Sequence, residues 1–519
     1  MELRRPLLVA LLGTVLGHGQ DPSADFLLPE SSRNLPRTVA ATVDGLRASA
    51  LTAHIAFLAS TQLEGRGLDS RGLDRAADYI AARLAESGLR PGGDGPVASW
   101  FQAVPFRRIA NPSATLTIHP AVAAKEMVLT AGADGLFPKL APGSITLPLV
   151  FAGHAIQEKE LGHDDFRNLE VKGRAVLFHG GLPTGEAWRN PPFSARYAAA
   201  DPEDRYEARI DLLRQMRAAA AIAIEPDFPA RAAKLASEPA FIGPPEAPPP
   251  DGPLLLRIPS TKGQELLGVL GPGTTATFKF DGTPVPSAGR NVLAVLPGSD
   301  PKRSSEVVVL GAHYDHLGQR DGVIHPGADD NGSGVSALLE IARVLAAARP
   351  RRTFVFAFWT GEEDGKFGSG HYVRHPARPL SRTMAYLNLD MIGHPWTREE
   401  IRTLAEEARL EKADAFLARV RTEDFIEPGV ASGAPWLGPL LVQAGSGLGF
   451  PLHLDWTDGL HGGSDYKPFA RAGVPFVRFF GNYFPDYHKV GDTAERLDPA
   501  QVLKIARLAC AVALLLDER

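Results

Sequence analysis

Five side chains of metal-binding type follow one another along this chain of 519 residues, in the order His313, Asp330, Glu363, Asp390 and His488. Imidazole and carboxylate suit zinc, and a carboxylate can bridge two ions where a single imidazole nitrogen cannot. Two histidines and three carboxylates therefore suffice for a pair of metals. Two ions held close together can share one hydroxide, polarise a carbonyl and hold the charge that develops on its oxygen, which is hydrolytic chemistry. The adjacent pair Glu362 and Glu363 supplies a further part. Neighbours on a loop can face different ways, so one carboxylate can bind metal while the other stays free as general base.

Four of the five stand after a short apolar run. VVVLGAHYD ends in His-x-Asp, FVFAFWTGEE (354–363) ends in the paired glutamates, YLNLDMIG (386–393) carries Asp390, and VPFVRFFG (474–481) leads into YHKVGDT. Continuous apolar runs bounded by turn residues predict strands buried on both faces of a parallel sheet. Reactive groups collect beyond the carboxyl ends of such strands, where the loops share one crevice. The ligands are therefore expected to converge although they span positions 313 to 488. GADDNGSG (327–334) places Asp330 on a glycine-rich turn, and Ser333 and Gly334 open VSALLEIARVLAAA, whose periodicity predicts a helix that would fix that turn. The expected fold class is α/β, a doubly wound mixed, largely parallel sheet flanked by helices.

In this order HYDHLG, GADDNGSG, WTGEEDGKFGS, NLDMIG, SDYKPF and YHKVGDT resemble the zinc exopeptidase family. That family includes bacterial di-zinc leucyl aminopeptidases, glutamate carboxypeptidase, glutaminyl cyclase and the transferrin receptor. The resemblance implies two zinc ions, with His313 and Asp390 on one, Glu363 and His488 on the other, and Asp330 bridging. It implies that Glu362 takes a proton from water and passes it to the leaving amine. It implies that Asp315 orients His313, since an imidazole ligand is fixed by what its other nitrogen meets, and that Tyr487 helps hold the tetrahedral intermediate. The chain departs from the family pattern at Ser464-Asp465-Tyr466, where Ser-Asp-His is usual, and at Lys489, where threonine is usual. Neither is a ligand position, so these departures bear on the substrate pocket. His316, His325, His371, His375, His394 and His453 lie near the motifs and are assigned no metal; His461 in DGLHGGSDY is a candidate for lining the substrate cleft.

The activity so implied is that of an exported metallo-aminopeptidase acting on peptides. A glutamate-releasing carboxypeptidase or dipeptidase has the same ligands and would need an arginine cluster for an acidic C-terminal residue. A glutaminyl cyclase would not need His313 as a ligand. A receptor or binding module on a degenerate peptidase scaffold is opposed by the retained ligand types and base.

Composition agrees. With 44% hydrophobic and 22% charged residues the chain is globular in usage and exceeds one ordinary domain. A net charge of −5, with no basic stripe, argues against nucleic acid as a partner. Residues 1–20 open with two arginines, then an apolar run, then small and polar residues, as in a cleavable export signal. That layout predicts a secreted or periplasmic protein with no stable membrane insertion after cleavage; an uncleaved anchor is the alternative. Cys510, the single cysteine, falls in a helix-like apolar stretch and reads as a core thiol. Oligomeric state is not encoded in any pattern.

Residues 25–135 are expected to be the N-terminal part of the peptidase domain, helical to about 110. Residues 136–286 read as an insertion with short apolar runs and one helix-like segment, IDLLRQMRAAAAIAIEP. VFAGHAI and HDDFRNLEVKGRAVLFHGG resemble a β-rich protease-associated domain; an insertion without its own fold is the alternative. Residues 287–519 are the zinc peptidase catalytic domain. Within it, 396–460 is a second insertion, with a helix-like stretch and a loop, GVASGAPWLGPLLVQAGSGLGF, that reads either as a lid or as a peripheral hairpin.

Overall fold

The structure is a computed structural model that describes residues 25–519 except 31–33, 95–98, 122–124, 139, 191–192, 199–201, 227, 229–239, 245–251, 321, 409 and 461–462. The expected export segment 1–20 and His461 lie outside the described residues. The chain forms two compact units. One contains Phe106–Ser287, and the other joins the described residues up to Pro105 to Ala288–Arg519.

The larger unit is built on a mixed sheet. Its strands are β1 (Thr275–Leu296, through Val292–Leu296), β2 (Val307–His313), β3 (Thr353–Trp359), β4 (Thr383–Leu389), β5 (Gly429–Ala431), β6 (Asp455–Thr457) and β7 (Phe476–Phe479). In space the order is β1, β3, β2, β4, β7, β5, β6. β3, β2, β4 and β7 are mutually parallel, β1 and β5 join them antiparallel, and β6 runs parallel to β5. Every residue of β2 and β3 is buried, which is why both read as unbroken apolar runs. The helix Gly334–Ala348 crosses from β2 to β3 and packs Val335, Leu338 and Ile341 into the same core. This is a mixed α/β fold with a large, mostly parallel central sheet flanked by helices. The C-terminal helix Pro499–Glu518 is long and apolar enough to cross a membrane, yet 78% of its apolar window is buried in the fold. Cys510 is buried within it, as expected of a core thiol.

The smaller unit holds a parallel run of Gly143–Phe151, Ala175–His179, Ala220–Glu225 and Leu254–Pro259. Leu149, Leu177, Ile222 and Leu256 form its apolar interior. The helix Pro202–Gln215 buries Tyr206 and Leu213 against Val176, Phe178 and Ala221. Among the described residues this unit carries more strand than helix.

Three local expectations are corrected. The helical N-terminal stretch ends earlier than 110. After Ala48–Leu58 and Arg71–Glu86 the chain is extended from Phe101 to His119, where Gln102, Val104 and Phe106 are buried and Ala103 and Pro105 exposed, the period of a strand. The helix-like IDLLRQMRAAAAIAIEP is helical only to Gln215. Ala220–Glu225 is a fully buried strand between two parallel neighbours. GVASGAPWLGPLLVQAGSGLGF is not a loop. It holds β5 and the helix Gly438–Leu448, whose Leu441 and Ala444 belong to the main core.

Candidate metal centre

His313 is the last residue of β2, Glu362 and Glu363 follow β3, and Asp390 follows β4, so three adjacent parallel strands deliver these groups to one rim of the sheet. Asp330 lies on the turn before the helix Gly334–Ala348, where the Asp330–Asn331 peptide is cis. His488 arrives from beyond β7 with a left-handed backbone, φ +57°.

The five expected ligands meet. His313 Nε2 is 3.3 Å from Asp330 Oδ1 and 3.2 Å from Asp390 Oδ1. His488 Nε2 is 3.1 Å from Asp330 Oδ2 and 3.1 Å from Glu363 Oε2. Asp330 therefore turns its two oxygens to two different imidazoles, the geometry of a bridging carboxylate. Two donors on one zinc at 2.0–2.1 Å stand about 3.3 Å apart when tetrahedral, which these separations match. The donor set fits a pair of divalent cations.

The electrostatics point the same way. Burial alone would lower His313, but Asp390 and Asp330 carry it well above the ordinary histidine range. Burial would also lower His488, and its hydrogen bonds with Asp330 and Glu363 push it up to about 11. Burial and the Asp330 charge oppose ionisation of Glu363, yet His316 and His488 hold it down to about 2. Such carboxylates, clustered and buried, demand positive charge. Glu362 differs: burial pushes it up to about 8, against the pull of Lys366, whose Nζ is 3.1 Å from its Oε1. A carboxyl poised there, next to the ligands but not among them, suits proton transfer.

Asp315 does something other than expected. The Nδ1 of His313 meets the main-chain carbonyl of Asp315 at 3.2 Å, and the carboxylate stands 3.9 Å away. That carboxylate instead accepts the main-chain N–H groups of Glu362 at 3.1 Å and Glu363 at 3.2 Å, tying the turn after β2 to the turn after β3. Tyr487 lines the cleft and stacks on His488 with ring centroids 3.8 Å apart. Burial and the nearby Asp330 raise its hydroxyl far above the usual range, so it stays a proton donor.

The sequence reading missed several groups. His316, assigned no metal, places Nδ1 2.7 Å from Glu363 Oε1; its signal is its position directly after His-x-Asp, on the same strand-end turn. Ser464, one of the departing positions, donates its hydroxyl to Asp390 Oδ2 at 2.6 Å and accepts from Asn388. Arg66, buried, donates to the carbonyls of Tyr314, Leu58, Pro326 and Gly327, and no local pattern announces it. Asp492 accepts the main-chain N–H groups of Asp329 and Asp330. The other nearby histidines stay apart from this set: His394 pairs with Asp329, His453 with Glu427, and His371 packs on His375. Lys489 is exposed and donates to the Pro485 carbonyl. The centre opens into a cleft with aromatic walls from Phe479, Phe480, Tyr483 and Tyr487.

Residues 291–434 and 438–513 match Peptidase family M28. The chain is 30% identical over 228 residues to Leupeptin-inactivating enzyme 1 of Streptomyces exfoliatus, covering 43% of this chain and 41% of that protein. It is 30% identical over 229 residues to Aminopeptidase YwaD of Bacillus subtilis (strain 168), covering 43% of each. The chain thus spans about two fifths of the length of these curated relatives. The solved aminopeptidase from Aneurinibacillus sp. strain AM-1 shares the fold, with a TM-score of 0.51 at 19% identity over 92% of this chain and 95% of that one. The matched span lies in the larger unit and contains all five expected ligands and Glu362.

Proposed function

We propose that this chain is a two-zinc aminopeptidase that removes N-terminal residues from peptides. The observation that carries the reading is Asp330 with its oxygens facing His313 and His488, and a separate buried carboxyl, Glu362, beside them. His313, Asp390 and Asp330 would hold one ion, and Asp330, Glu363 and His488 the other. Bound there, the ions supply the Lewis acidity that polarises a carbonyl and acidifies water. The protein's own part is to move the proton and exclude solvent. Glu362 accepts the proton of the attacking water and returns it to the leaving amine, with Lys366 favouring its ionised form. Tyr487 presents a neutral hydroxyl to the oxygen on which charge develops. The aromatic walls of the cleft favour an apolar side chain on the residue released.

A carboxypeptidase specific for acidic residues would need a free guanidinium in the cleft. Arg478, which lines it, is already joined to Asp455 at 2.6 Å, and this favours the aminopeptidase reading. Under the same proposal residues 1–20 direct export, and 136–286 correspond to a protease-associated domain.

The test combines metal analysis with hydrolysis of aminoacyl anilides and of N-blocked dipeptides. Two ions per chain and cleavage of the anilides alone are expected. Glu362→Gln should keep both ions and lose turnover by about 10²–10⁴-fold. Cleavage of the blocked dipeptides alone, or full activity in Glu362→Gln, would overturn the assignment.

A further inference from the structure

His316 stands outside the ligand set that the family resemblance carries over, yet its side chain is 0% exposed at the heart of the centre, whereas that of His488 is 35% exposed. Its Nδ1 lies 2.7 Å from Glu363 Oε1 and 3.7 Å from Asp330 Oδ2. The nitrogen therefore faces the same two carboxylates that His488 reaches through Nε2. Its two distances bracket the separation of about 3.3 Å between donors sharing a tetrahedral zinc. His316 with Asp330 and Glu363, like His313 with Asp330 and Asp390, forms a group whose donor atoms lie within 4.8 Å of one another.

The ring is held in that pose by its surroundings. The main-chain N–H of His316 donates to the Arg66 carbonyl at 3.1 Å. The ring lies against Gly327, whose φ of +62° is itself a glycine conformation. A Cβ at 327 would come within 2.5 Å of the imidazole Cγ and Cδ2, so any larger residue would push the ring aside. Asp315, the preceding residue, is fixed by the N–H groups of Glu362 and Glu363. Among the described residues the far nitrogen, Nε2, is buried with no hydrogen-bond partner. Nδ1 is directed at the carboxylates of Glu363 and Asp330.

We propose that His316 is a sixth protein donor at this centre, with Nδ1 binding the ion that Glu363 and His488 hold. That ion then has Asp330, Glu363, His488 and His316 around it. The ion of His313 and Asp390 has only three protein donors and keeps a position open for substrate, the distinction between closed and open zinc sites. The inference rests on the two-ion reading given above.

Cadmium NMR on the full chain, with isotopically labelled histidine nitrogens, tests it. Two cadmium resonances are expected, one coupled to two ring nitrogens and the other to one. His316→Ala should remove one coupling from the first resonance and weaken the affinity for that cadmium ion by at least about tenfold, since losing even an outer partner of a ligand costs that much. Resonances coupled to one nitrogen each would overturn the proposal and leave His316 as a hydrogen-bond partner of Glu363; unchanged affinity in the alanine variant would overturn it too. The wild-type spectrum decides by itself if His316→Ala does not fold. Absence of any bound cadmium in the wild type would instead sink the two-ion reading, and this inference with it.

Discussion

Lys366 puts a cation 3.1 Å from Glu362, the proposed general base, which must be unprotonated before it can take a proton from water. Burial raises Glu362 to about 8 and Lys366 opposes that rise, so removing the ammonium leaves the carboxyl still harder to ionise. In Lys366→Met the acidic limb of kcat/KM against pH should therefore move to higher pH, with activity at neutrality reduced and recovered as pH rises. An unmoved limb would separate Lys366 from the base. The pairing exists because the turn Gly361–Lys366 folds the side chain four residues on back over Glu362, and nothing in the bare letters GEEDGK distinguishes it from a solvent-facing lysine. Four of the five expected ligands and Glu362 are legible for the opposite reason: each follows an apolar run, and Asp330 sits on a glycine-rich turn before a periodic helix. His316 lies three residues beyond His313, and a lone histidine beside a motif carries little information without its neighbours in space.

Among the elements, Arg66 joins segments that are distant in sequence. Its guanidinium binds the carbonyl that follows His313 in the chain and those of Pro326 and Gly327 just before Asp330, so one side chain holds the two turns that bring these ligands together. Arg66→Met would leave buried carbonyls without donors, at about 1–3 kcal/mol each. The expected result is a loss of roughly 3 kcal/mol or more in denaturant unfolding together with weaker metal binding; an unchanged midpoint would show that water or a shifted backbone replaces the guanidinium. The buried strands β2, β3 and β4 and the helix after Asp330 were readable because burial on both faces, or a 3.6-residue period, leaves a plain imprint. The alanine-rich Ala220–Glu225 was not, since alanine serves helix and buried strand alike and only its two parallel neighbours decide. The Gly- and Trp-rich stretch misled because Gly438 and Gly445 occur there for close packing, against Trp456 and Leu452, and not for turning.

For the molecule as a whole, the proposed centre would store stability when loaded with metal as well as carry the reaction. Asp330, Glu363, Asp390 and Glu362 crowd one rim, and without cations their mutual repulsion and lost solvation oppose folding. Chelation should lower the calorimetric transition of the larger unit, by about 4 kcal/mol of stability if free zinc had stood at a thousand times its dissociation constant, and leave the transition of Phe106–Ser287 in place. Equal shifts in both transitions, or none, would contradict a resident metal confined to the larger unit. The insertion expected at 136–286 differs from the smaller unit chiefly at its start: the unit ends at Ser287 but begins at Phe106, inside a strand whose alternation carries no break at that point. The unit limits at 105/106 and 287/288 fall inside the continuous strands Phe101–His119 and Thr275–Leu296. A protein engineer who cuts at those limits severs hydrogen-bonded ladders, so grafting this module onto another peptidase, or deleting it, requires splice points that keep both strands whole.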